Sequence, residues 1–238
     1  MGTSEHTKEG QKKSMIRALI FDFDGLILDT EQSEFQSWQE IFAEHNAHLP
    51  LDKWAVCIGS GLEAFDVYAY LEEQVGQAVQ REAIAKRRRM RHQELLALKP
   101  VLPGVEVYIA DAKRLGLKLG VASSSSRAWV TGHLSRFNLL HYFDYLRCGD
   151  EVKHKKPDPE LYLAVLKEFG ITGKEAIVLE DSPNGIRAGQ AAGIFSVAIP
   201  NVVTGQLPLE HADLRLASMA AMPLAKLIAL VESKQDQQ

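Results

Sequence analysis

Residues 17–25 read RALIFDFDG, an apolar run that ends abruptly at two carboxylates and a glycine. Three later stretches follow a similar pattern, since each is a short, mostly apolar run that stops at polar residues or at a proline. They are residues 117–122, 176–179 and 194–199. Runs of this length and composition are typical of strands that are buried on both faces. The sequence therefore predicts a parallel β-sheet.

Helical patterns lie between the predicted strands. Four stretches place apolar residues at helical spacing: 105–115, 128–139, 158–170 and 184–192. In the third of these, Asp158 is a candidate N-cap, Pro159 stands at the first helical position and Gly170 is the stop signal. Strands that alternate with helices in this way predict an α/β fold with right-handed crossovers.

Residues 30–100 interrupt this alternation. They contain three long helical stretches and no convincing strand; the stretches are 34–45, 62–75 and 80–98. We therefore expect three parts: a disordered leader at 1–14, an α/β core at 15–29 and 101–238, and a helical cap at 30–100. The leader is polar and charged and lacks the apolar segment of a signal peptide.

The composition excludes several classes of protein. Of the 238 residues, 46% are hydrophobic and 24% are charged, which excludes wholesale disorder. The net charge of −4 gives no overall attraction to nucleic acid or to an anionic membrane. No apolar stretch reaches the roughly 18–20 residues that span a bilayer. Cys57 and Cys148 form no disulfide framework, and we interpret them as small buried side chains of a cytoplasmic protein.

Two groups of residues allow both a structural and a functional interpretation. The segment 81–94 holds six Lys or Arg and two Glu. It is either a solvated helix face, which we favour, or a surface that attracts anionic substrates. The tryptophans Trp38, Trp54 and Trp129 are interpreted as packing groups rather than as a platform for stacking bases.

Carboxylates and hydroxyls follow three of the predicted strands directly: Asp22 and Asp24 after the first, Ser123 and Ser124 after the second, and Glu180 and Asp181 after the third. Ligands of open α/β sheets bind at the carboxyl ends of the strands, so these side chains are predicted to meet there. Lys156 lies just before the Asp158 cap, at a helix entrance, and is expected to join them.

The predicted carboxylates would repel one another strongly at neutral pH. A divalent cation relieves that repulsion, and a ligand set made only of oxygen favours Mg²⁺. No cluster of His or Cys has the spacing of a zinc site. Lys156 and Ser123 would supply a cation and a hydroxyl donor for phosphoryl oxygens. Of the pair Asp22 and Asp24, one can attack phosphorus while the other transfers a proton.

Four motifs, in this order, resemble those of the haloacid dehalogenase-like phosphatase superfamily. They are FDFDGLILDTE at 21–31, VASSS at 121–125, KPDP at 156–159 and LEDSPNG at 179–185. The last two are most similar to the β-phosphoglucomutase-like group of sugar-phosphate phosphatases and mutases. The resemblance implies a Rossmann-like three-layer core with a parallel sheet, and a small α-helical cap inserted after the first motif.

The resemblance also implies a role for each site residue. Asp22 would be the nucleophile that forms an aspartyl-phosphate, and Asp24 would protonate the leaving alcohol and then activate water. The phosphoryl group would be held by Ser123, Ser124 and Lys156. Mg²⁺ would be bound by Asp22, by the backbone carbonyl of Asp24 and by Asp181, with Glu180 nearby or bound through water.

Two departures from the β-phosphoglucomutases bear on the reaction. Glu34 stands where those enzymes carry a histidine, and the stretch GSGL at 59–62 lacks their phosphate-binding arginine. A mutase must hold a second phosphate. We therefore predict a Mg²⁺-dependent phosphatase whose partner is a small sugar or polyol phosphate ester, in a monomer or weak dimer.

Other functions remain as alternatives or are argued against. A hexose phosphate mutase is the alternative, because the basic residues 86–91 could supply the missing grip on a second phosphate. Asp24 argues against a dehalogenase, since true dehalogenases of this superfamily lack the second aspartate. The presence of Asp22, Asp24, Lys156 and Asp181 together argues against a non-catalytic module that binds phosphoproteins.

Overall fold

The computed structural model describes residues 15–55, 58 and 65–237. At its centre lies a six-stranded sheet in which all neighbouring strands are parallel. In chain order the strands are β1 (Ala18–Phe21), β2 (Lys118–Ser123), β3 (Tyr145–Cys148), β4 (Ala176–Glu180), β5 (Phe195–Ala198) and β6 (Leu214–Arg215). Their order across the sheet is β3-β2-β1-β4-β5-β6. The predicted parallel sheet is confirmed.

The sequence predicts four of these strands and misses β3 and β6. Along β3, half-buried residues alternate with buried ones, and Arg147 is one of the half-buried residues. β3 lies at an edge of the sheet. An edge strand is not fully covered by other elements, so it does not require a continuous apolar run. β6 has only two residues, which is too short to give a pattern.

Four helices follow β1 within the described part of residues 30–100: α1 (Thr30–Glu44), α2 (Leu51–Ala55), α3 (Val67–Val75) and α4 (Arg81–Ala97). They pack around a cluster of their own that includes Phe35, Trp38, Phe42 and Leu71. These helices form the predicted helical cap, although its borders at 30 and 100 stay a prediction. α2 is missed because five residues carry no helical periodicity.

Five further helices follow: α5 (Val105–Arg114), α6 (Arg127–Arg136), α7 (Glu160–Phe169), α8 (Pro183–Ala191) and α9 (Leu224–Gln235). Side chains of α5, α6 and α9 pack with Leu19 and Phe21 on one face of the sheet. Those of α7 and α8 pack with Ala18 and Ile20 on the other face. Because side chains alternate along a strand, β1 contributes to both cores, and the three-layer architecture is confirmed.

Among the helix starts that differ from the prediction are those of α7 and α1. α7 begins at Glu160, and Pro159 rather than Asp158 takes the cap position. The Asp158 carboxylate still accepts a hydrogen bond from the Glu160 amide, at 2.9 Å. α1 begins at Thr30 instead of Glu34, because Asp29 caps it by accepting from the Gln32 amide. A capping side chain therefore sets the start of α1, whereas α7 starts after a proline that makes no side-chain cap.

The basic segment of α4 is not simply a solvated face. Arg88 pairs with Glu34 of α1 at 3.0 Å, Arg91 pairs with Glu40 at 2.7 Å, and Arg87 pairs with Glu44. Most of the segment is exposed, as the favoured interpretation expects, but the side chain of Arg88 is only 18% exposed. Arg88 therefore belongs to the contact between α1 and α4 rather than to the solvated face.

Several predictions fall outside the described residues: the leader at 1–14, Cys57 and the stretch 59–62. Cys148 is buried, as expected. Among the described residues, no helix combines the length and apolar character that crossing a membrane requires.

Candidate active site

The strand ends bring the predicted site residues together. In the sheet register, Phe21 of β1 lies beside Val121 of β2 and Leu179 of β4. Asp22 is the next residue of the chain, and its amide donates to the Leu179 carbonyl at 3.0 Å. Ser123 and Glu180 end the two neighbouring strands. Parallel strands that end at one edge therefore place a carboxylate, a hydroxyl and a second carboxylate side by side.

The ammonium of Lys156 enters this group from the segment before α7. Its Nζ donates to Asp22 Oδ1 at 2.5 Å, to Glu180 Oε1 at 2.7 Å and to the Ala122 carbonyl at 2.7 Å. The side chains of Lys156, Asp22 and Glu180 are 6%, 9% and 0% exposed. An ammonium has three N–H donors, and all three are used. Lys156 is thus fixed rather than solvated.

The Glu180 carboxylate is held by the protein on both oxygens. Besides Lys156, Tyr162 donates its hydroxyl to Oε1 at 2.7 Å. Oε2 accepts the amides of Asp181 and Ser182, at 3.0 and 3.2 Å. A Cβ on Gly185 would lie 1.8 Å from Oε1, so only glycine leaves room for this carboxylate. Gly185, the last residue of the motif at 179–185, is a packing requirement of the site.

Asp181 is oriented from the opposite side. Asn201 Nδ2 donates to Asp181 Oδ2 at 3.0 Å and to the Gly25 carbonyl at 3.1 Å. A Cβ on Gly25 would lie 2.1 Å from Asp181 Oδ2, and the φ of Gly25 is +78°. The turn after β1 thus needs glycine both for its left-handed backbone and for the approach of Asp181.

Three buried carboxylates form a group that fits a cation. Carboxylate oxygens of Asp22, Glu180 and Asp181 lie within 4.8 Å of one another. Burial raises the pKa of Asp22 to about 8; Glu180 and Asp24 add to this, and Lys156 opposes it. Burial, with Asp22 and Glu180, raises the pKa of Asp181 well above its usual range. A single ammonium does not balance this charge, so the donor set suits a hard divalent cation.

The carboxylate of Asp24 points away from the three-carboxylate group and towards α6 and the end of β2. Its Oδ1 accepts from Trp129 Nε1 at 2.9 Å, and its Oδ2 accepts from Ser125 Oγ at 2.6 Å and from Ser123 Oγ at 3.4 Å. It is not part of the three-carboxylate group. Its predicted contact with metal runs through the backbone carbonyl and stays a prediction.

The two predicted serines differ. Ser123 is fully buried, and its Oγ accepts the Ser125 amide at 3.1 Å. The side chain of Ser124 joins no hydrogen bond of the described site residues; its backbone carbonyl instead packs against Gly149. Ser125, which lies in the second motif but was given no role, makes the contact with Asp24.

Sequence reasoning also misses Tyr162, Asn201 and Trp129. No motif marks Tyr162 or Asn201, and each comes to the site through a separate helix or loop. Trp129 does pack, as predicted, but its indole N–H also holds Asp24. One sequence signal places Trp129 near the second motif. It lies three residues after Ser126, the N-cap of α6, and so stands in the first turn of that helix.

Glu31 is a further acidic group beside the site. Burial raises its pKa well above the usual range, and the carboxylates of Glu34, Asp24 and Asp22 add to the effect. Asp29 adds to this effect as well, so four carboxylates raise the pKa of Glu31 at the start of α1.

A sequence profile of the family described as haloacid dehalogenase-like hydrolase matches residues 19–199. The chain belongs to this family. YhcW of Bacillus subtilis is 46% identical over 220 residues, which are 92% of this chain and 100% of that protein. The fructose-1-phosphate phosphatase YqaB of Escherichia coli is 31% identical over 183 residues, 76% of this chain and 95% of its own.

Solved structures agree with the fold. A β-phosphoglucomutase from Clostridium difficile superposes with a TM-score of 0.70 at 24% identity, covering 94% of this chain and 100% of that one. The predicted family and its fold, a parallel α/β core with a helical cap, are confirmed.

Proposed function

We propose that this protein is a Mg²⁺-dependent phosphatase that hydrolyses a small sugar or polyol phosphate through an aspartyl-phosphate on Asp22. The observation that carries the proposal is the hydrogen bond from Lys156 to a buried Asp22 at the end of β1. Ser123 ends the neighbouring strand β2, and Asp24 lies two residues after Asp22. A nucleophile, a hydrogen-bond donor for phosphoryl oxygens and a proton-transfer group therefore lie together.

In the first step, a carboxylate oxygen of Asp22 attacks phosphorus and the bond from phosphorus to the leaving oxygen breaks. Asp24 gives its proton to that oxygen, which departs as an alcohol. Ser123 binds a phosphoryl oxygen, and the nearby ammonium of Lys156 offsets the charge of the phosphoryl oxygens. Because Lys156 is fixed by Glu180 and the Ala122 carbonyl, its ammonium is already in place before the substrate arrives.

In the second step, Asp24 takes a proton from water as the water oxygen attacks phosphorus. The bond from phosphorus to Asp22 breaks, and inorganic phosphate leaves with the carboxylate of Asp22 regenerated. The proton that Asp24 lost in the first step is thereby recovered, so the enzyme returns to its starting state.

Asp22 and Asp181 would bind Mg²⁺ directly, together with the backbone carbonyl of Asp24. The cation neutralises charge on the phosphoryl oxygens when it is bound. Glu180 would act through water, because its two oxygens already accept hydrogen bonds from Lys156, Tyr162 and backbone amides. Its direct role is to position Lys156.

The proposed substrate class rests on the cap side of the site. Glu31 supplies carboxyl oxygens that suit the hydroxyls of a sugar or polyol. Arg88 is paired with Glu34, so its charge is already balanced. This pairing favours hydrolysis over the mutase alternative, which needs a cation for a second phosphate. The name of the relative YqaB, a fructose-1-phosphate phosphatase, supports the same substrate class.

The experiment is a measurement of phosphate release from fructose 1-phosphate, a hexitol phosphate and glycerol phosphate, with Mg²⁺ and with excess chelator. Release that needs Mg²⁺ and is lost in Asp22→Asn supports the proposal. A protein that binds phosphopeptides and releases no phosphate from any ester would support the binding-module alternative instead.

A further inference from the structure

Trp129 makes a contact that the proposed reaction does not explain. Its Nε1 donates to Asp24 Oδ1 at 2.9 Å, while Ser125 Oγ donates to Oδ2 at 2.6 Å. The backbone of Trp129 is fixed in the first turn of α6, where its amide donates to Ser126 Oγ at 3.3 Å. The indole therefore approaches Asp24 from a rigid element.

Aromatic neighbours hold the indole ring on both sides. His133, one turn further along α6, meets it edge-on with ring centroids 4.3 Å apart. His92 of the cap helix α4 is stacked with it at 6.1 Å. Trp129 thus lies where the cap meets the core, and its ring has little freedom to turn away from Asp24.

The two oxygens of Asp24 are chemically distinguished by these donors. An indole N–H can only donate, so Oδ1 remains an acceptor. A serine hydroxyl can donate or accept, so Ser125 can remain bonded to Oδ2 whether or not that oxygen carries a proton. Oδ2 is also the oxygen nearer to Ser123, at 3.4 Å from its Oγ. The exchangeable proton therefore belongs on Oδ2, beside the phosphoryl position.

We propose that Trp129 is a positioning residue that orients Asp24 so that Oδ2 delivers the proton to the leaving alcohol. The inference rests on the proposed function and adds a residue to it. Trp129 itself exchanges no proton and touches no reacting atom. Its loss should slow only those substrates whose leaving group needs protonation, because p-nitrophenolate departs without an acid whereas an alkoxide does not.

The test compares Trp129→Phe with the wild type on p-nitrophenyl phosphate and on glycerol phosphate. Because kcat/KM covers only the steps up to departure of the first product, it leaves out the later hydrolysis of the aspartyl-phosphate. We expect kcat/KM to fall about 10–100-fold for glycerol phosphate and to stay within about threefold for p-nitrophenyl phosphate. Equal losses on the two esters, or no loss on either, would overturn the inference.

A control and a second variant keep the test decisive. The buried Nε1 of Trp54 has no hydrogen-bond partner among the described residues. Trp54→Phe should therefore change kcat/KM by the same factor for both esters. If Trp129→Phe fails to fold, benzothienylalanine at position 129 keeps the ring shape and removes only the N–H, with the same expected result. A wild type that hydrolyses neither of these esters, nor fructose 1-phosphate or a hexitol phosphate, would refute the proposed function itself.

Discussion

Lys156 Nζ lies 2.5 Å from Asp22 Oδ1, although the two residues are 134 positions apart in the chain. The same ammonium contacts Glu180 at 2.7 Å, so one buried cation serves two buried carboxylates. Burial opposes the charge on Lys156, but Asp22 and Glu180 outweigh it and hold the pKa of the ammonium above its usual range. The proposed nucleophile is therefore oriented by a group that stays charged at any physiological pH.

Removal of this ammonium should destabilise the protein. Lys156→Met leaves two carboxylates buried without their cation, which costs about 3–5 kcal/mol of unfolding free energy in comparable cases. Denaturant unfolding without metal at about pH 9, above the raised pKa of Asp22, measures the effect. The exposed neighbour provides the control, since Lys155→Met should change stability by less than about 0.5 kcal/mol. Equal stabilities for the two variants would contradict the ion-pair account.

Mg²⁺ affinity should rise with pH. Metal binding requires ionised carboxylates, and the raised pKa of Asp22, about 8, keeps it largely protonated below that pH in the metal-free protein. Titration calorimetry between pH 6 and 8, in two buffers of different ionisation enthalpy, measures both affinity and proton release. We expect tighter binding at pH 8 and release of about one to two protons at pH 7, because the pKa of Asp181 is raised as well as that of Asp22. Affinity that is independent of pH, without proton release, would refute this.

The same shift affects stability without metal. The folded state keeps a proton on Asp22 between its usual pKa of 3.8 and its raised value of about 8, whereas the unfolded chain has lost it. The free energy of unfolding of the metal-free protein should therefore fall as pH rises through this window. Saturating Mg²⁺ should remove most of that slope.

Gly185 should not tolerate alanine. A Cβ at this position would lie 1.8 Å from Glu180 Oε1 and displace the carboxylate that holds Lys156. We expect Gly185→Ala to lose about 1–3 kcal/mol of stability and most of the phosphatase activity. Gly132→Ala in α6 is the matched control, because no atom lies within 4 Å of the added Cβ. Calorimetric melting compares them, and a Gly185→Ala protein as stable and active as Gly132→Ala would contradict the packing argument.

The products from β-glucose 1-phosphate distinguish the phosphatase from the mutase. Arg88 is balanced by Glu34, so this arginine offers little attraction to a second phosphate. Any turnover should yield free glucose and inorganic phosphate, even with added glucose 1,6-bisphosphate. Phosphorus and proton NMR of the mixture follow both products. Predominant glucose 6-phosphate with little free phosphate would show that the cap does hold the second phosphate.

Four strands and the main site residues could be predicted because each signal is local. A buried strand such as β4 is a continuous apolar run, and Glu180 and Asp181 follow it at once. The strand ends of a parallel sheet then meet by geometry alone. β3 lacked this signal because its half-buried residues include Arg147.

The supporting residues could not be predicted, because tertiary packing alone brings them to the site. Tyr162 reaches Glu180 from α7, and Asn201 reaches Asp181 from the segment after β5. Neither stands within a motif. The pairing of Arg88 with Glu34 also depends on how α1 packs on α4, which the charge count of the basic segment does not reveal.

The central claim is the covalent intermediate on Asp22. Rapid quenching of the wild type during turnover of a sugar phosphate, followed by borohydride reduction, converts an aspartyl-phosphate to homoserine. Peptide mass spectrometry then locates the residue. We expect homoserine at position 22 only in samples quenched with substrate, and none in Asp22→Asn, whose phosphate release should fall at least ~10³-fold with its fold intact. Active wild-type enzyme without homoserine at position 22, or an Asp22→Asn enzyme that retains a tenth of the activity, would contradict the account.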